Sequence, residues 1–266
     1  MTGSPRQARM TLSGHDFAAH RIAPHAPEGK MATAAFPNSQ RLLLDGVSWQ
    51  GYENLLKELD GRPIHITYDE GSLEIMTLSH GHESYSWLIG RLIATWTEEL
   101  NIPLHAGKST TFKLKRKKKG LEADECFWVQ NEARMRGKKV FDFRIDPPPD
   151  LAVEIDISRS SLNRMAIYAA FKVPEVWRFN GKSLRIYRLL ETGEYELSDR
   201  SLAFPLLLPS DIVRFLLASD TIDETNLIRG FREWIRKSIL PTLGAVGQAP
   251  EKKRQSKKKD ENGQGS

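Results

Sequence analysis

Two short apolar runs between Leu121 and Asn180, LEADECFWV and PPPDLAVEIDIS, carry carboxylates where a buried strand would carry Val or Ile. Moving an ionised side chain out of water costs several kcal/mol unless it is paired, hydrogen-bonded or bound to a metal, so this placement limits what the segment can be. In an extended strand Asp150, Ala152, Glu154 and Asp156 share one face, and Leu151, Val153, Ile155 and Ile157 fill the other. Glu122 and Asp124 share a face of the earlier run. If the two runs are neighbouring strands, Asp124 and Glu154 converge to grip a divalent cation through oxygen, as Mg²⁺ prefers. Asp150 follows three prolines and reads as part of a solvated entry loop. Glu154, apolar on both sides, reads as buried for a purpose.

The chain of 266 residues has room for one sizeable domain with tails, and 39% hydrophobic with 27% charged residues fits a globular protein in water. No apolar run is long enough to cross a bilayer, and the first residues lack the apolar segment of a secretory signal. A lone Cys126 excludes an internal disulfide framework and points to a reducing compartment, so the expected location is cytoplasmic. The formal charge of +5 is uneven. Lys113, Lys115, Arg116, Lys117, Lys118 and Lys119 form one basic run just ahead of the acidic strand, and a second lies between Glu251 and Lys259. Such runs suit nucleic-acid phosphates, although the second also reads as a plain solvated tail.

Three regions follow: a disordered extension over 1–40, a folded domain over 41–240 and a disordered basic tail over 241–266. Within the domain, Ser48 caps a short helix with Tyr52, Leu55, Leu56 and Leu59 on one face. Ile64, Ile66 and Tyr68 alternate toward the turn DEGS, and Leu73 and Ile75 continue a hairpin that leaves Glu74 facing water. Ser79 to Leu100 is the clearest helix, with Tyr85, Leu88, Ile89, Leu92, Ile93 and Trp96 on a stripe that must cover a sheet. Glu83 in its first turn reads either as a dipole-stabilising residue or as a group leaning over the sheet. His80 and His82 flank it without zinc-motif spacing.

A strand through Thr110, Phe112 and Leu114 precedes the basic run. After Glu154 come a Ser-rich turn, a helix over about 162–171, a strand EVWRFN, a hairpin across ETGE and a last amphipathic helix carrying Leu227, Ile228, Phe231, Trp234 and Ile235. The order predicts a mixed α/β (α+β) domain, a sheet flanked by helices. The absence of a Gly-rich phosphate loop argues against a nucleotide-hydrolysing motor.

The stretches GSLEIMTLSHGHESYSWLIGRLI, GLEADECFWVQNEARMRGK, IDPPPDLAVEIDIS and IYAAFKVPEVWRFNGKSLRIYRL resemble the Uma-two family of restriction endonucleases, within the PD-(D/E)XK nuclease superfamily, from about Arg41 to Lys237. The resemblance implies a restriction-endonuclease-like core and a Mg²⁺- or Mn²⁺-dependent DNA endonuclease. It places the two motif acids on Asp124 and Glu154, a further metal ligand on the Ile155 carbonyl, and an assisting glutamate on Glu83. The motif lysine would fall on Asp156, a carboxylate here and a possible extra metal ligand; a cation from the following helix falls on Arg164. Arginine can hold phosphate charge but cannot serve as a base. The family label also implies DNA as partner and allows a homodimer. The competing expectation is a nuclease-fold protein whose carboxylates are held by Arg164 and which serves as a nucleic-acid-binding or interaction module.

Overall fold

The computed structural model describes residues 39–157 and 160–246. Of the expected extension over 1–40, residues 1–38, and of the expected tail over 241–266, the residues beyond 246, lie outside the described residues. The rest is a mixed α+β fold with two sheets.

The first sheet is antiparallel, in the order β1 (Arg41–Leu44), β3 (Ser72–Thr77), β2 (Ile64–Asp69), β6 (Lys119–Glu122), β5 (Thr111–Leu114). Helix α1 (Trp49–Glu58) starts where Ser48 Oγ accepts the Gly51 N–H at 3.0 Å. Its Tyr52 packs with Ile66, Tyr68 and Leu73. The β2–β3 hairpin turns through Glu70 and Gly71, both at positive φ.

The second sheet runs β11 (Tyr195–Ser198), β10 (Leu184–Leu189), β9 (Glu175–Phe179), β8 (Leu151–Ile155), β7 (Glu125–Trp128), β4 (His105–Ala106). Only β8 and β9 are parallel among its described pairs, because α4 (Arg164–Phe171) carries the chain back between them. One face packs on α2 (His80–Leu100), α5 (Pro209–Ala218) and α6 (Glu224–Trp234), through residues such as Leu92, Trp96, Ile212 and Phe231. The other face, with Ala152 and Val176, meets α4 and the β5–β6 edge through Tyr168, Phe112 and Leu121. The described residues end in a π-turn (Ile235–Ile239) and α7 (Leu240–Val246).

Three expectations need correction. The run LEADECFWV is two strands, not one: β6 closes the first sheet and β7 opens the second, with Ala123 and Asp124 at the crossing. Glu122 and Asp124 therefore serve different neighbours. Glu74 is buried, accepting from Arg41 at 2.6 Å, Ser160 Oγ at 2.7 Å and the Ser161 N–H at 2.7 Å, and so ties β3 to the segment after β8. Asp150 is also buried rather than solvated. It accepts the Val129 N–H at 2.7 Å, the Asn131 N–H at 3.0 Å and Asn131 Nδ2 at 2.7 Å, and so pins the turn after β7.

Candidate active site

The antiparallel register sets Glu125 against Val153 and Cys126 against Ala152, so one step further back along β7 Asp124 stands across from Glu154. Both side chains are buried. Asp124 reaches over to the neighbouring strand, where its Oδ2 accepts the Ile155 N–H at 2.5 Å. Two imidazoles close in on it: His65 Nδ1 lies 3.0 Å from Oδ1 and His82 Nε2 lies 3.2 Å from Oδ2. Neither contact is aligned as a hydrogen bond, so His65 Nδ1, both nitrogens of His82 and Asp124 Oδ1 are buried without a hydrogen-bond partner.

The local sequence explains how these side chains arrive. His65 lies on β2, and Ser79 caps α2 by accepting the His82 N–H at 3.3 Å, which sets His82 in the first turn over the sheet. Ser86, one turn on, donates to the Asp124 carbonyl at 3.4 Å. Glu83 is exposed, with its Oε1 3.5 Å from His82 Nδ1. It is joined to the site through the imidazole and does not lean over the sheet as a direct neighbour of the strand acids.

Glu154 is held by α4. Arg164 donates to its Oε1 at 2.7 Å, and the Tyr168 hydroxyl, one turn later, donates to the same oxygen. Arg164 also donates to Thr67 Oγ1 and to the Glu122 carbonyl, each at 2.6 Å. Its guanidinium is largely buried and clasps the two sheets together. Asp156 pairs with Arg178 on β9, not with Arg164. Glu154 and Arg178 are neighbours in the parallel register. Together with Asp156 and Arg164 they line a cavity of about 260 Å³, the opening through which Glu154 reaches the surface.

Burial by itself would raise the Asp124 carboxyl, but the imidazoles of His65 and His82 outweigh it and hold Asp124 below its usual range. The Glu154 carboxyl moves the other way: burial raises it, the Asp124 charge adds to that, and Arg164 only partly offsets both. His82 is raised, because Asp124 and Glu83 outweigh its burial. Glu125, on the opposite face of β7 from Asp124, is pushed up by burial to about 7. The Asp124 and Glu154 carboxyls are thus shifted in opposite directions by their surroundings.

Of the residues singled out in the sequence, Asp124, Glu154, Ile155 and Arg164 are brought together, and Asp156 sits at the cavity wall. The basic run spans β5, a 3₁₀ turn (Lys115–Lys117) and β6, apart from this cluster. Lys119 is tied to Asp69, and Lys117 Nζ donates to the Ala170 carbonyl at 3.0 Å. His65 went unnoticed in the sequence because it occupies an ordinary place in an alternating strand. His82 carried a signal in its proximity to Glu83, but the zinc spacing that would have given it weight is missing.

Among the described residues no group of three or more His, Cys, Asp and Glu side chains is placed so that it could hold a metal ion. What the site does offer is a smaller set of oxygen donors of the kind a divalent cation takes, the buried Asp124 and Glu154 carboxylates. Asp124 Oδ1 and the facing imidazole nitrogens are buried and unpartnered, and the bonds to Glu154 both fall on Oε1.

Opposed buried carboxylates on neighbouring strands, one of them held by an arginine from the helix above, give this mixed α+β domain a charged centre between its two sheets. The family model Uma2, described as "Putative restriction endonuclease", matches residues 49–218, well over half of the chain, and the chain belongs to that family. Among solved structures, the crystal structure of a "putative nuclease belonging to DUF820" from Anabaena variabilis is similar at 13% identity, covering 62% of this chain and 90% of that one with a TM-score of 0.37. No curated protein matches the chain.

Proposed function

We propose that the protein is a metal-dependent DNA endonuclease that hydrolyses phosphodiester bonds. The observation that carries this reading is the Asp124–Glu154 pair, opposed in register and buried beside unpartnered donor atoms. Asp124, Glu154 and the Ile155 carbonyl would hold a Mg²⁺ or Mn²⁺ ion. When bound, that ion activates a water and neutralises charge on the scissile phosphate.

The chain's own residues divide the remaining work. Arg164 has its donors turned inward onto Glu154, Thr67 and Glu122, so it positions Glu154 and leaves the phosphate to another cation. Arg178, a third exposed and on the same cavity wall, takes the phosphate oxygens. His82 holds the transferable proton beside Asp124, and Glu83 links it to solvent. The Lys113 to Lys119 run follows the DNA backbone, which makes binding salt-sensitive. A cytoplasmic location goes with this reading and with the buried Cys126 thiol, which burial pushes up to about 12. A homodimer would bring two such sites to the two DNA strands. Among the described residues no helix is long and apolar enough to cross a membrane.

The test is incubation of supercoiled plasmid with the protein and Mn²⁺, beside the Asp124→Ala/Glu154→Ala double variant. Nicking or linearisation by the wild type alone is expected; equal cutting by both overturns the assignment.

The grip of Arg164 and Tyr168 on Glu154 supports a second reading, in which the fold binds nucleic acid without cutting it. Calorimetric titration with Mn²⁺ separates the two, since a binding module takes up no ion at millimolar concentration that depends on Asp124.

A further inference from the structure

A large cleft lies away from the carboxylates. It has a volume of about 940 Å³ and runs between the start of α1, the turn joining β5 to β6 and the segment around Phe143. Lys113, Lys115, Arg116 and Arg144 line it against Glu53 and Asp142, so cations are in excess. Two aromatic rings complete the wall. Trp49 rests edge-on against Tyr52 and Tyr68, with ring centroids 5.2 and 5.6 Å away, and Phe143 is backed by Phe112 at 4.8 Å and Phe171 at 4.7 Å. Both rings are therefore braced from behind.

Trp49, which lines the cleft, also has its Nε1 buried without a hydrogen-bond partner among the described residues. The basic turn is also built to hold its shape. Lys118 adopts a left-handed φ of 48°, its N–H returns to the Lys115 carbonyl at 3.0 Å, and its own carbonyl accepts the Glu70 N–H at 2.8 Å. Lys115 and Arg116 are exposed on that fixed turn. The only partner of Arg144 among the described residues is Asp142, beside it in the chain.

We infer that this cleft binds an unpaired stretch of DNA, with phosphates on Lys113, Lys115, Arg116 and Arg144 and a base against Trp49 and Phe143. Braced rings in a cationic groove are the combination that unpaired strands use, because each free base offers a face to stack and an edge to accept a hydrogen bond. In a duplex the base faces are stacked on one another, and only phosphates and groove edges are presented. The inference rests on DNA being the substrate and specifies the form in which the protein holds it.

The test uses the full chain in EDTA, where cleavage is suppressed. Fluorescence anisotropy compares a labelled oligothymidine with a duplex of equal length, for the wild type, Lys115→Ala/Arg116→Ala and Trp49→Phe. The single strand is expected to bind about tenfold more tightly than the duplex. The double variant, altered only at exposed side chains, should lose about tenfold and show a salt dependence shallower by roughly one and a half charges. Trp49→Phe keeps a ring and removes the N–H, and should weaken single-strand binding about fivefold while leaving the unfolding midpoint in place. Equal or tighter duplex binding overturns the inference, as does single-strand binding that Lys115→Ala/Arg116→Ala leaves unchanged. The hydrolase reading is scored separately: tight single-strand binding without plasmid cutting leaves the cleft standing and removes the endonuclease, and cutting with no loss in the cleft variant does the reverse.

Discussion

Arg164 holds Glu154 at 2.7 Å from a helix that begins ten residues later, and with the same guanidinium it reaches Thr67 and the Glu122 carbonyl on the other sheet. One cation thus fixes a strand acid and joins two sheets. Lysine, with a single point of charge, cannot satisfy three acceptors in this fork. Removal of this cation leaves the Glu154 charge buried without compensation.

Arg164→Met should therefore destabilise the fold by about 3–5 kcal/mol, and Glu154→Gln in the same chain should recover part of that loss. Urea unfolding of the two single variants and the double variant measures the coupling. A strictly additive result would mean that the contact contributes nothing of its own.

Arg178 faces the same cavity but is committed only to Asp156 among the described residues, and it is partly exposed. Arg178→Ala should lower plasmid-nicking kcat/KM by about 10- to 100-fold through a raised KM, with stability changed by no more than about 0.5 kcal/mol. Nicking rates across plasmid concentrations, read beside an unfolding curve, separate phosphate binding from a folding defect.

Glu99 at the end of α2 accepts from Arg236 at 2.7 and 2.9 Å and from Arg232 at 2.8 Å, which ties α2 to α6 and the π-turn. The Arg236 hydrogen bonds hold its carboxyl below the ordinary value, with Arg232 adding to the effect against burial. A depressed folded pKa contributes stability that is present above about pH 4.5 and lost as the pH falls through the folded value. Both guanidiniums are partly in water, so Glu99→Gln should cost only about 0.5–1 kcal/mol at pH 7. Unfolding curves taken from pH 7 down to about pH 3 should show that gap closing. A gap that widens at low pH would contradict this account.

Gly120 on β6 lies under the Tyr52 ring, and a Cβ there would sit 2.7 Å from Tyr52 Cζ. Tyr52 is fully buried and stacked on Tyr68 at 4.9 Å, so it has little room to move. Gly120→Ala should cost about 1–3 kcal/mol, measurable by thermal or urea unfolding, whereas Gly181→Ala at an open turn meets no atom and pays only for its positive φ.

Much of this was legible in the chain itself. Ser79 and the stripe from Tyr85 to Trp96 mark α2 because a helix writes its period into the residues that form it. Asp124 and Glu154 stood out because a buried charge is costly, so their place in apolar runs needed a reason. The helix Pro209–Ala218 was missed, although Pro at its start and the Ile212–Leu216 spacing are signals of the same kind. The sequence by itself determined the mixed α+β class, the principal helix and the two strand acids, since each rests on a local period or a local anomaly. The tertiary structure alone decided that β6 and β7 belong to different sheets, that His65 and His82 converge on Asp124, that Glu74 is buried and that Asp156 answers to Arg178. Those outcomes depend on strand register and on contacts between distant segments, and a one-residue slip in register would exchange every such partner.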